Sequence, residues 1–327
     1  MKIALIGAGG MAASHFEAYK RIPEAEVIAV VDSCPQRASE IAGYYHAEVY
    51  TDIDHMLAAC KPDIADICVP SFLHYEYSVK CMKKGIHTFC EKPMAHTLED
   101  AEKMMTVAKE CGVRLMIGQV LRFWPEYEYL KKFHDEMPFG KVKYFSMSRY
   151  YGAHPTGSWY MDPEKCRMNC FEMHIHDSDF VNYLLGLPDY VSSVGHELPG
   201  IHMSYIQTRY CYEGKDIVVV AEGGWNDSNY PFNYSFRAVA EHGVLALEND
   251  RLMLYPGQGP ERLITPEQQP GIPSNILGVF KELSEFIRCI KEDKPSDVLT
   301  LESTYNTIKL VSCELQSVKS GTPVAVA

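Results

Sequence analysis

The first residues of the chain combine a strand, a glycine-rich turn and a helix. The apolar run Lys2–Ile6 leads directly into residues 7–12, which follow the pattern G-x-G-x-x-A, and a helical pattern continues over Ala13–Lys20. The first glycine of such a pattern permits a tight turn, the second lets the backbone approach a pyrophosphate, and the small last residue allows close helix–strand packing. The helix N-terminus adds free N–H groups and a partial positive charge. The pattern predicts a dinucleotide site formed by Gly7, Ala8, Gly9, Gly10, Met11 and Ala12.

A second apolar run, Val27–Val31, ends in an acid that strengthens this prediction. Asp32 lies 20 residues after Ala12, where a carboxylate can accept hydrogen bonds from the adenosine ribose hydroxyls. Because a carboxylate repels a 2′-phosphate, the sequence favours NAD over NADP. Ser33 and Arg37 leave NADP open, since either side chain could help to hold a phosphate. The alternative is a glycine-rich turn in an unrelated α/β protein.

Composition excludes several classes of partner. With 327 residues, 46% hydrophobic and 23% charged, the chain is long enough for two globular domains. A net charge of −12 argues against nucleic acid or an anionic membrane, because phosphate binding needs clustered Lys and Arg. No apolar run approaches the roughly 18 residues of a membrane span, and no basic leader precedes the first strand. Its 11 cysteines lack a C-x-x-C pair, so we expect reduced thiols and a cytoplasmic protein.

Strands and helices alternate over residues 1–120. The pattern predicts strands at Lys2–Ile6, Val27–Val31, Ile64–Val69, Ile86–Cys90 and Arg114–Ile117. It predicts helices at Ala13–Lys20, Pro35–Tyr45, Ile53–Cys60, Tyr75–Lys84 and Leu98–Glu110. Thr97 and Gly112 mark the two ends of the last of these helices. This alternation predicts an α/β fold whose first domain is a Rossmann domain, a doubly wound parallel sheet with right-handed crossovers.

Residues 121–298 have a different character and are predicted to form a second α/β domain. Helices are expected at Pro125–Asp135 and Cys170–Leu185. Period-two patterns predict strands at Lys141–Tyr150, Tyr190–Glu197, Met203–Cys211, Asp216–Gly223, Tyr234–Ala240 and Val244–Glu248. Such a series favours an open, mostly antiparallel sheet with one covered face. Two helices, Asn275–Lys291 and Leu299–Lys319, finish the chain, and the last (about 299–320) is a candidate to pack back on the first domain.

The tripeptide Glu91-Lys92-Pro93 follows directly after a predicted strand. It therefore lies at the carboxyl end of that strand, the edge at which open α/β sheets bind ligands. A lysine ammonium at this edge could donate a hydrogen bond to a substrate oxygen and stabilise an alkoxide. The alternative is a solvated lysine in a surface turn.

A segment rich in acids and histidines opens the helix that is predicted to end at Leu185. On a helix Glu172 and His176 share a face, and Asp179 lies one turn beyond. A nearby carboxylate orients an imidazole and raises its pKa, which suits it to proton transfer near neutral pH. Two alternatives stay open: a zinc site that includes His174, and a helix start whose acids complement the helix dipole. Because His174 and His176 diverge on a helix, we predict no metal.

These motifs, together with Pro70-x-x-x-His74 and Arg122-Phe123-x-Pro125, occur in an order that resembles the glucose–fructose oxidoreductase / inositol dehydrogenase / MocA family. The resemblance covers essentially the whole chain. It implies a Rossmann domain joined to an α/β domain whose open sheet often forms the oligomer interface, here in a homodimer or homotetramer. It also implies that the dinucleotide contacts Pro70, His74, Glu91, Lys92 and Gln119.

The resemblance further implies catalytic roles. Lys92 would bind the reacting oxygen, His176 would accept and donate the proton, and Glu172 would help to bind substrate and assist the histidine. The family usually has aspartate in place of Glu172, and it often has a glycine-rich run where residues 167–170 here read Arg-Met-Asn-Cys. Trp159 could offer its ring to a sugar or simply pack. The substrate-binding residues implied are Arg122, Trp159, Asp162, Glu172 and His176.

The implied reaction is reversible hydride transfer between a nicotinamide and a secondary alcohol of a sugar, cyclitol or glycoside. One alternative uses tightly bound NAD for redox-neutral cleavage or epimerisation of a glycoside. Another is a dinucleotide-sensing regulator without catalysis. The presence of both Lys92 and His176, and the lack of a basic DNA-binding segment, argue against the regulator.

Overall fold

Contacts within the chain divide the computed structural model into two units. One unit comprises residues 1–123 and 268–305, and the other comprises residues 124–267 and 306–327. The structure describes residues 1–152, 159, 162, 165–166, 170–197, 204–226 and 228–326.

Strands and helices cover most of the described residues. The strands are β1 (Lys2–Ile6), β2 (Glu26–Val31), β3 (Glu48–Tyr50), β4 (Ile64–Ile67), β5 (His87–Glu91), β6 (Leu115–Gly118), β7 (Val142–Gly152), β8 (Tyr190–Glu197), β9 (Ser204–Cys211), β10 (Val218–Asn226), β11 (Asn233–Ala240), β12 (Gly243–Glu248), β13 (Arg251–Pro256), β14 (Arg262–Ile264) and β15 (Val324–Ala325). The helices are α1 (Gly10–Tyr19), α2 (Pro35–Tyr45), α3 (Ile53–Ala59), α4 (His74–Met82), α5 (Leu98–Cys111), α6 (Pro125–Glu136), α7 (Ile175–Leu185), α8 (Ser274–Lys291) and α9 (Leu301–Ser320). Shorter helical turns are the 3₁₀ segments Ser71–Leu73 and Val120–Phe123 and the π-helix Cys170–His174.

The first unit contains a parallel sheet with the strand order β3-β2-β1-β4-β5-β6. Strands β1 and β4 are buried along almost their whole length, as expected when helices cover both faces of a parallel sheet. Because successive strands are added to one side of β1 and then to the other, the order reverses between β1 and β4. The predicted doubly wound Rossmann sheet is confirmed.

Helix α8 groups with the first unit, whereas the sequence-based division assigned residues up to 298 to the second domain. The apolar side chains of Leu283 and Phe286 on α8 join Ile3, Leu5 and Phe89 in one buried cluster. The rings of Phe89 and Phe286 lie 5.7 Å apart. Helix α8 therefore buries its apolar stripe against the first sheet, a choice that its own periodicity does not reveal.

Helix α9 is divided between the units, and its residues from 306 onward group with the second unit rather than the first. Polar side chains explain this placement. Thr307 donates to Asp179 Oδ1 at 2.7 Å, and Ser178 donates to Glu314 Oε2 at 3.1 Å. These buried contacts attach α9 to α7 and would cost free energy if broken.

The described residues of the second unit form a sheet with the order β14-β13-β12-β11-β7-β10-β9-β8-β15. Strands β7 and β10 pair in parallel, and the remaining neighbours are antiparallel. The expected mostly antiparallel sheet is confirmed. The sequence patterns did not predict strands β3, β13, β14 or β15. Strand β13 follows β12 through Asn249-Asp250, whose φ angles of 50° and 59° suit a two-residue hairpin turn.

Two local predictions concern the ends of α5. Thr97 Oγ1 accepts the N–H of Asp100 at 3.1 Å, and Gly112 adopts a φ of 64° after the last turn. Both are the features that a side-chain N-cap and a glycine C-cap require. The two predicted ends of this helix are confirmed.

In the part of the chain that the structure describes, none of the helices combines the length and apolar content that crossing a bilayer requires. The ten cysteines whose side chains are described are free thiols.

Replacing Phe286 tests the assignment of α8 to the first unit. Because this ring is 1% exposed in the core of that unit, Phe286→Ala should lower the free energy of unfolding by about 3–5 kcal/mol. Lys291→Ala on the same helix removes only a surface pair with Glu24 and should cost less than about 1 kcal/mol. Urea unfolding of both variants provides the measurement, and equal small losses would contradict the assignment.

Candidate functional site

The turn after β1 requires glycine at its first position. Gly7 has a φ of 101°, and a Cβ atom there would lie 2.4 Å from the carbonyl oxygen of Cys68. The N–H of Gly7 donates to the carbonyl of Val31 at 2.7 Å. Gly7 thus lies between the ends of β2 and β4, where any side chain would both clash and strain the backbone.

Helix α1 begins at Gly10 with an open N-terminus. A Cβ atom at Gly9 or Gly10 would meet nothing within 4 Å. The N-cap residue is Gly9, which makes no side-chain cap bond, and the first turn of the helix has no acid. Met11 is exposed, whereas Ala12 is fully buried. The uncapped N–H groups beside open space are what a bound phosphate needs.

Asp32, directly after β2, holds the glycine-rich loop by a hydrogen bond to its backbone. Its carboxylate accepts the N–H of Ala8 at 2.8 Å, the N–H of Cys34 at 2.7 Å and the guanidinium of Arg37 at 2.8 Å. Burial alone would raise the pKa of Asp32, but these hydrogen bonds, with Arg37 the largest, lower it. Ser33 is exposed beside it. Asp32 is therefore ionised, and its two oxygens retain acceptor capacity for ribose hydroxyls.

The other predicted cofactor residues follow β4, β5 and β6 at the same edge, because all strands of this sheet are parallel. Pro70 begins the turn into α4, and the two ring nitrogens of His74 lie 2.7 Å from the carbonyl of Pro93 and 2.9 Å from that of Val69. Gln119 follows β6 and is 1% exposed. Within the described residues, neither atom of its amide has a hydrogen-bond partner.

These observations fit a dinucleotide. The turn at Gly7 and the open start of α1 suit the phosphates of a dinucleotide, and the ionised Asp32 suits the ribose. The buried amide of Gln119 has donor and acceptor capacity left for a ligand at the same edge.

Lys92 follows directly after β5, as the sequence predicted. Its N–H donates to Glu91 Oε2 at 3.2 Å, and its side chain is half-buried. Glu91 is buried, and its Oε1 lies 3.0 Å from His15 Nε2. Burial alone would raise the pKa of Glu91, but the hydrogen bond and charge of His15, followed by the charge of Lys92, lower it.

A cluster of polar side chains surrounds His15. The sequence patterns did not predict it. Its Nδ1 lies 2.8 Å from Asp66 Oδ2 and 3.4 Å from the thiol of Cys68. Glu282, on α8, is fully buried nearby. One signal was available, since Asp66 is an acid in the middle of the buried strand β4.

The predicted residues of the second unit lie around the start of α7. The π-helix Cys170–His174 replaces the first turn of the α-helix expected from Cys170, so α-helical geometry begins only at Ile175. Glu172, in the π segment, is buried, and His176 is half-buried. Single π turns often occur at functional sites. The pairing of Glu172 with His176 stays a prediction, because it assumed α-helical spacing.

Three further predicted substrate residues differ in their surroundings. Trp159 and Asp162 are half-buried, and Asp162 pairs with Lys165 at 2.7 Å. Arg122 lies in the first unit, is 2% exposed and donates to the carbonyl of Val298 at 2.7 Å. The atypical run at 167–169 lies outside the described residues.

A buried ion pair holds the start of α7. The guanidinium of Arg149 donates to both oxygens of Asp177 at 3.0 and 3.2 Å and to the hydroxyl of Tyr127 at 3.1 Å. Burial alone would lower the pKa of Arg149, but Asp177 and Tyr127 raise it. This pair fixes the residue next to His176, and the sequence reading did not identify it.

A second buried network involves Glu314 on α9. Its Oε2 accepts from Ser178 at 3.1 Å and lies 3.5 Å from Nε2 of His174. Burial is the largest cause that raises the pKa of Glu314 to about 8, and burial, followed by the charge of Arg149, lowers the pKa of His174 to about 3. Both groups are therefore neutral near pH 7.

The zinc alternative finds no support in this arrangement. Among the described residues, the groups with three ligand atoms within 4.8 Å of one another centre on His15, either with Asp66 and Cys68 or with Glu91 and Glu282. Glu172, His174 and His176 do not form such a group.

Comparison with known families settles the relationship of the first unit. Residues 1–119 match the profile of the GFO_IDH_MocA family, described as an oxidoreductase family with an NAD-binding Rossmann fold. Over these residues the chain is similar to the Gfo/Idh/MocA oxidoreductase family. Residues 1–119 accordingly match an NAD-binding Rossmann fold, and the resemblance drawn from the sequence is confirmed.

Curated relatives of this protein have several activities. A 2,7-anhydro-N-acetylneuraminate hydratase of Mediterraneibacter gnavus is 31% identical over 59% of this chain and 51% of its own length. A D-glucoside 3-dehydrogenase of Escherichia coli is 30% identical over 62% of this chain and 58% of its own length. A scyllo-inositol 2-dehydrogenase (NADP(+)) of Bacillus subtilis is 26% identical over 95% of both chains. The chain thus spans about half the length of several relatives it matches.

A solved levoglucosan dehydrogenase, in complex with NADH and levoglucosan, has the same fold. It aligns with a TM-score of 0.87 at 19% identity and covers 100% of this chain and 99% of its own. At this identity the likeness concerns the fold.

The neutral state of Glu314 predicts a pH dependence of stability. The pKa of this carboxyl is about 8 in the folded protein, above the ordinary value of 4.5, so the folded state holds one more proton between these values. The stability from Glu314 is therefore complete below pH 4.5 and is lost as pH rises through 8. Relative to Glu314→Gln, wild type should lose up to about 1.4 kcal/mol per pH unit.

Urea unfolding of both proteins at pH 6.5, 7.25 and 8 measures this difference. His174, with a pKa of about 3 in the folded protein, is present in both proteins, so its own contribution cancels in the difference between wild type and Glu314→Gln. Parallel stability curves for wild type and Glu314→Gln would contradict the buried neutral acid.

Proposed function

We propose that this protein is an NAD-dependent dehydrogenase that oxidises a secondary alcohol of a sugar, cyclitol or glycoside and reduces the matching ketone. The observation that carries the proposal is the position of Lys92. It follows β5 at the same edge of the sheet as Gly7, Asp32 and Gln119, which suit a dinucleotide. A lysine ammonium at that edge is suited to a substrate oxygen.

The chain's own residues supply proton handling and charge stabilisation. Bound NAD supplies the hydride acceptor and, when reduced, the donor. Lys92 donates a hydrogen bond to the reacting oxygen and stabilises negative charge that develops there. The imidazole of His176 takes the hydroxyl proton and returns it in the reverse direction. Glu172 assists His176 and helps to hold the substrate, together with Arg122, Trp159 and Asp162.

Named activities of relatives support the substrate class. The Escherichia coli relative acts on D-glucosides, and the Bacillus subtilis relative acts on scyllo-inositol. Both names describe oxidation of a ring carbinol. A screen of sugars, cyclitols and glycosides with NAD, followed by the absorbance of reduced nicotinamide, tests the proposal directly. No reduction with any of these classes would contradict it.

Removal of either proposed catalytic side chain should slow turnover. Lys92→Ala should lower kcat by about 10²–10³ through loss of a charge-stabilising donor. His176→Ala should lower kcat by about 10²–10⁴ through loss of the general base. Neither should change NAD affinity by more than about threefold, because neither is expected to be needed for the phosphate or ribose contacts.

Exposed residues of the same types provide matched controls for steady-state kinetics. Lys84→Ala and His242→Ala should retain wild-type kcat, since both side chains are exposed. Wild-type turnover in Lys92→Ala or His176→Ala would dismiss the role given to that residue.

We propose NAD rather than NADP as the preferred cofactor. Asp32 is ionised and would repel a 2′-phosphate, although Arg37 on its outer side offers partial compensation. NADH should bind at least about tenfold more tightly than NADPH, a difference of about 1.4 kcal/mol. Fluorescence titration measures both affinities. Asp32→Ala should bring the affinities for NADH and NADPH closer together. A preference of wild type for NADPH would overturn the assignment.

The hydratase relative favours a second candidate, redox-neutral chemistry with tightly bound NAD. In that case a sugar or glycoside would be cleaved or epimerised and no free NADH would accumulate. Product analysis of each hit by mass spectrometry, alongside NADH absorbance, separates the two candidates. Stoichiometric NADH with ketone supports the dehydrogenase, and product without NADH supports the alternative.

We also propose that the protein forms a homodimer or homotetramer through the sheet of the second unit. Strands β8, β10, β13 and β14 carry exposed apolar side chains, namely Val194, Val218, Tyr255 and Leu263. In an assembly through this sheet these side chains would be removed from water, which favours association. Sedimentation velocity would reveal the assembly, and a monomer at micromolar concentration would contradict it.

A further inference from the structure

His15 connects two strands of the first sheet through its imidazole ring. It lies on α1 and is fully buried. Its Nδ1 is 2.8 Å from Asp66 Oδ2 on β4, and its Nε2 is 3.0 Å from Glu91 Oε1 on β5. Because carboxylate oxygens only accept, each ring nitrogen acts as an N–H donor when both bonds form. A doubly protonated ring therefore bridges the ends of β4 and β5.

Charge supports this protonation state. Burial alone would lower the pKa of His15, but the charge of Asp66, followed by Cys68, raises it well above the ordinary value. The carboxyl of Glu91 has its pKa lowered despite burial, chiefly by His15. A buried imidazolium between two carboxylates forms strong charge-assisted hydrogen bonds, which hold its acceptors in place.

Glu91 transmits this constraint to the next residue. Its Oε2 accepts the N–H of Lys92 at 3.2 Å. On the neighbouring strand β6, a Cβ atom at Gly118 would lie 3.0 Å from Glu91 Oε1, so the glycine leaves room for this carboxylate. The side chain of Glu91 is thus fixed by His15 on one side and holds the backbone of Lys92 on the other.

We propose that His15 is a positioning residue for Lys92. By bridging Asp66 and Glu91, it fixes the backbone from which the ammonium group of Lys92 extends. The inference rests on the proposed function where it concerns turnover, but the placement of Lys92 is measurable without any substrate.

Glu282 provides both a control and a competing explanation. It is fully buried, and in the described part of the chain neither of its carboxyl oxygens has a hydrogen-bond partner. Burial, followed by the charge of Glu91, raises its pKa well above the ordinary value, so the acid is neutral. One carboxylate oxygen each of Glu282 and Glu91 and one ring nitrogen of His15 lie within 4.8 Å of one another, which is also a ligand set for a metal ion.

Two amide substitutions test the hydrogen bonds of His15 to Asp66 and to Glu91 separately. The amide nitrogen of asparagine corresponds to Nδ1, so His15→Asn can still donate to Asp66 but does not reach Glu91. The amide nitrogen of glutamine corresponds to Nε2, so His15→Gln can still donate to Glu91. We expect His15→Asn to lower kcat by up to about 10², as a misplaced catalytic group does, and His15→Gln to recover most of that loss. Affinity for NAD should change by less than about threefold in both.

Placement of Lys92 is measured directly by NMR of ¹³C-dimethylated lysines. The Lys92 signal is assigned by its loss in Lys92→Ala. Its chemical shift and titration midpoint should change in His15→Asn and stay near wild type in His15→Gln. This readout does not depend on activity, so it decides the positioning role even if Lys92 proves to have no catalytic role.

Further variants keep the test decisive. Glu91→Gln should reproduce the changes of His15→Asn, and it serves if the histidine variants fail to fold. Glu282→Gln replaces a neutral acid with a neutral amide and should leave kcat and the Lys92 signal unchanged. Equal behaviour of His15→Asn and His15→Gln, with an unchanged Lys92 signal, would overturn the proposal. So would one tightly held metal ion per chain by elemental analysis, because the ring nitrogens would then be ligands.

Discussion

The close approach of Gly7 to the carbonyl oxygen of Cys68 fixes the turn between β1 and α1. The rest of the candidate cofactor site depends on this turn. A Cβ atom at Gly7 would lie 2.4 Å from that oxygen, so only glycine lets the chain turn there from β1 into α1. The turn leaves the start of α1 uncapped and brings Ala8 within hydrogen-bond distance of Asp32. One steric constraint thereby arranges a helix N-terminus and a carboxylate beside the same open space.

Buried charge is the second organising constraint, and each unit handles it in the same manner. An isolated buried charge costs several kcal/mol, so it must be paired, hydrogen-bonded or neutralised. In the first unit His15 is paired, whereas Glu282 is neutralised by burial and the neighbouring carboxylate. In the second unit Arg149 is paired with Asp177, whereas Glu314 is neutral. These groups lie next to the residues proposed to carry the chemistry, which links the stability of each unit to the geometry of its site.

The family relationship and the geometry constrain function to different degrees. The match of residues 1–119 to the Gfo/Idh/MocA family model supports an NAD-binding Rossmann fold there. The fold is shared with a levoglucosan dehydrogenase, but relatives include a hydratase as well as dehydrogenases. Function is determined by the side chains placed on a fold rather than by the fold itself. Lys92, His176 and their neighbours are therefore where the choice between net oxidation and redox-neutral chemistry is made.

Local sequence determined five of the six strands of the first sheet, its glycine turn, the acid at Asp32 and the capped helix after Thr97. Each depends on neighbours within a few residues, where periodicity, glycine conformation and capping act. Only the tertiary structure placed α8 on the first sheet, paired β7 with β10 in parallel and brought His15 between two acids. These outcomes join residues that are distant in sequence, so they depend on which apolar faces and buried charges find partners, and no local pattern records that.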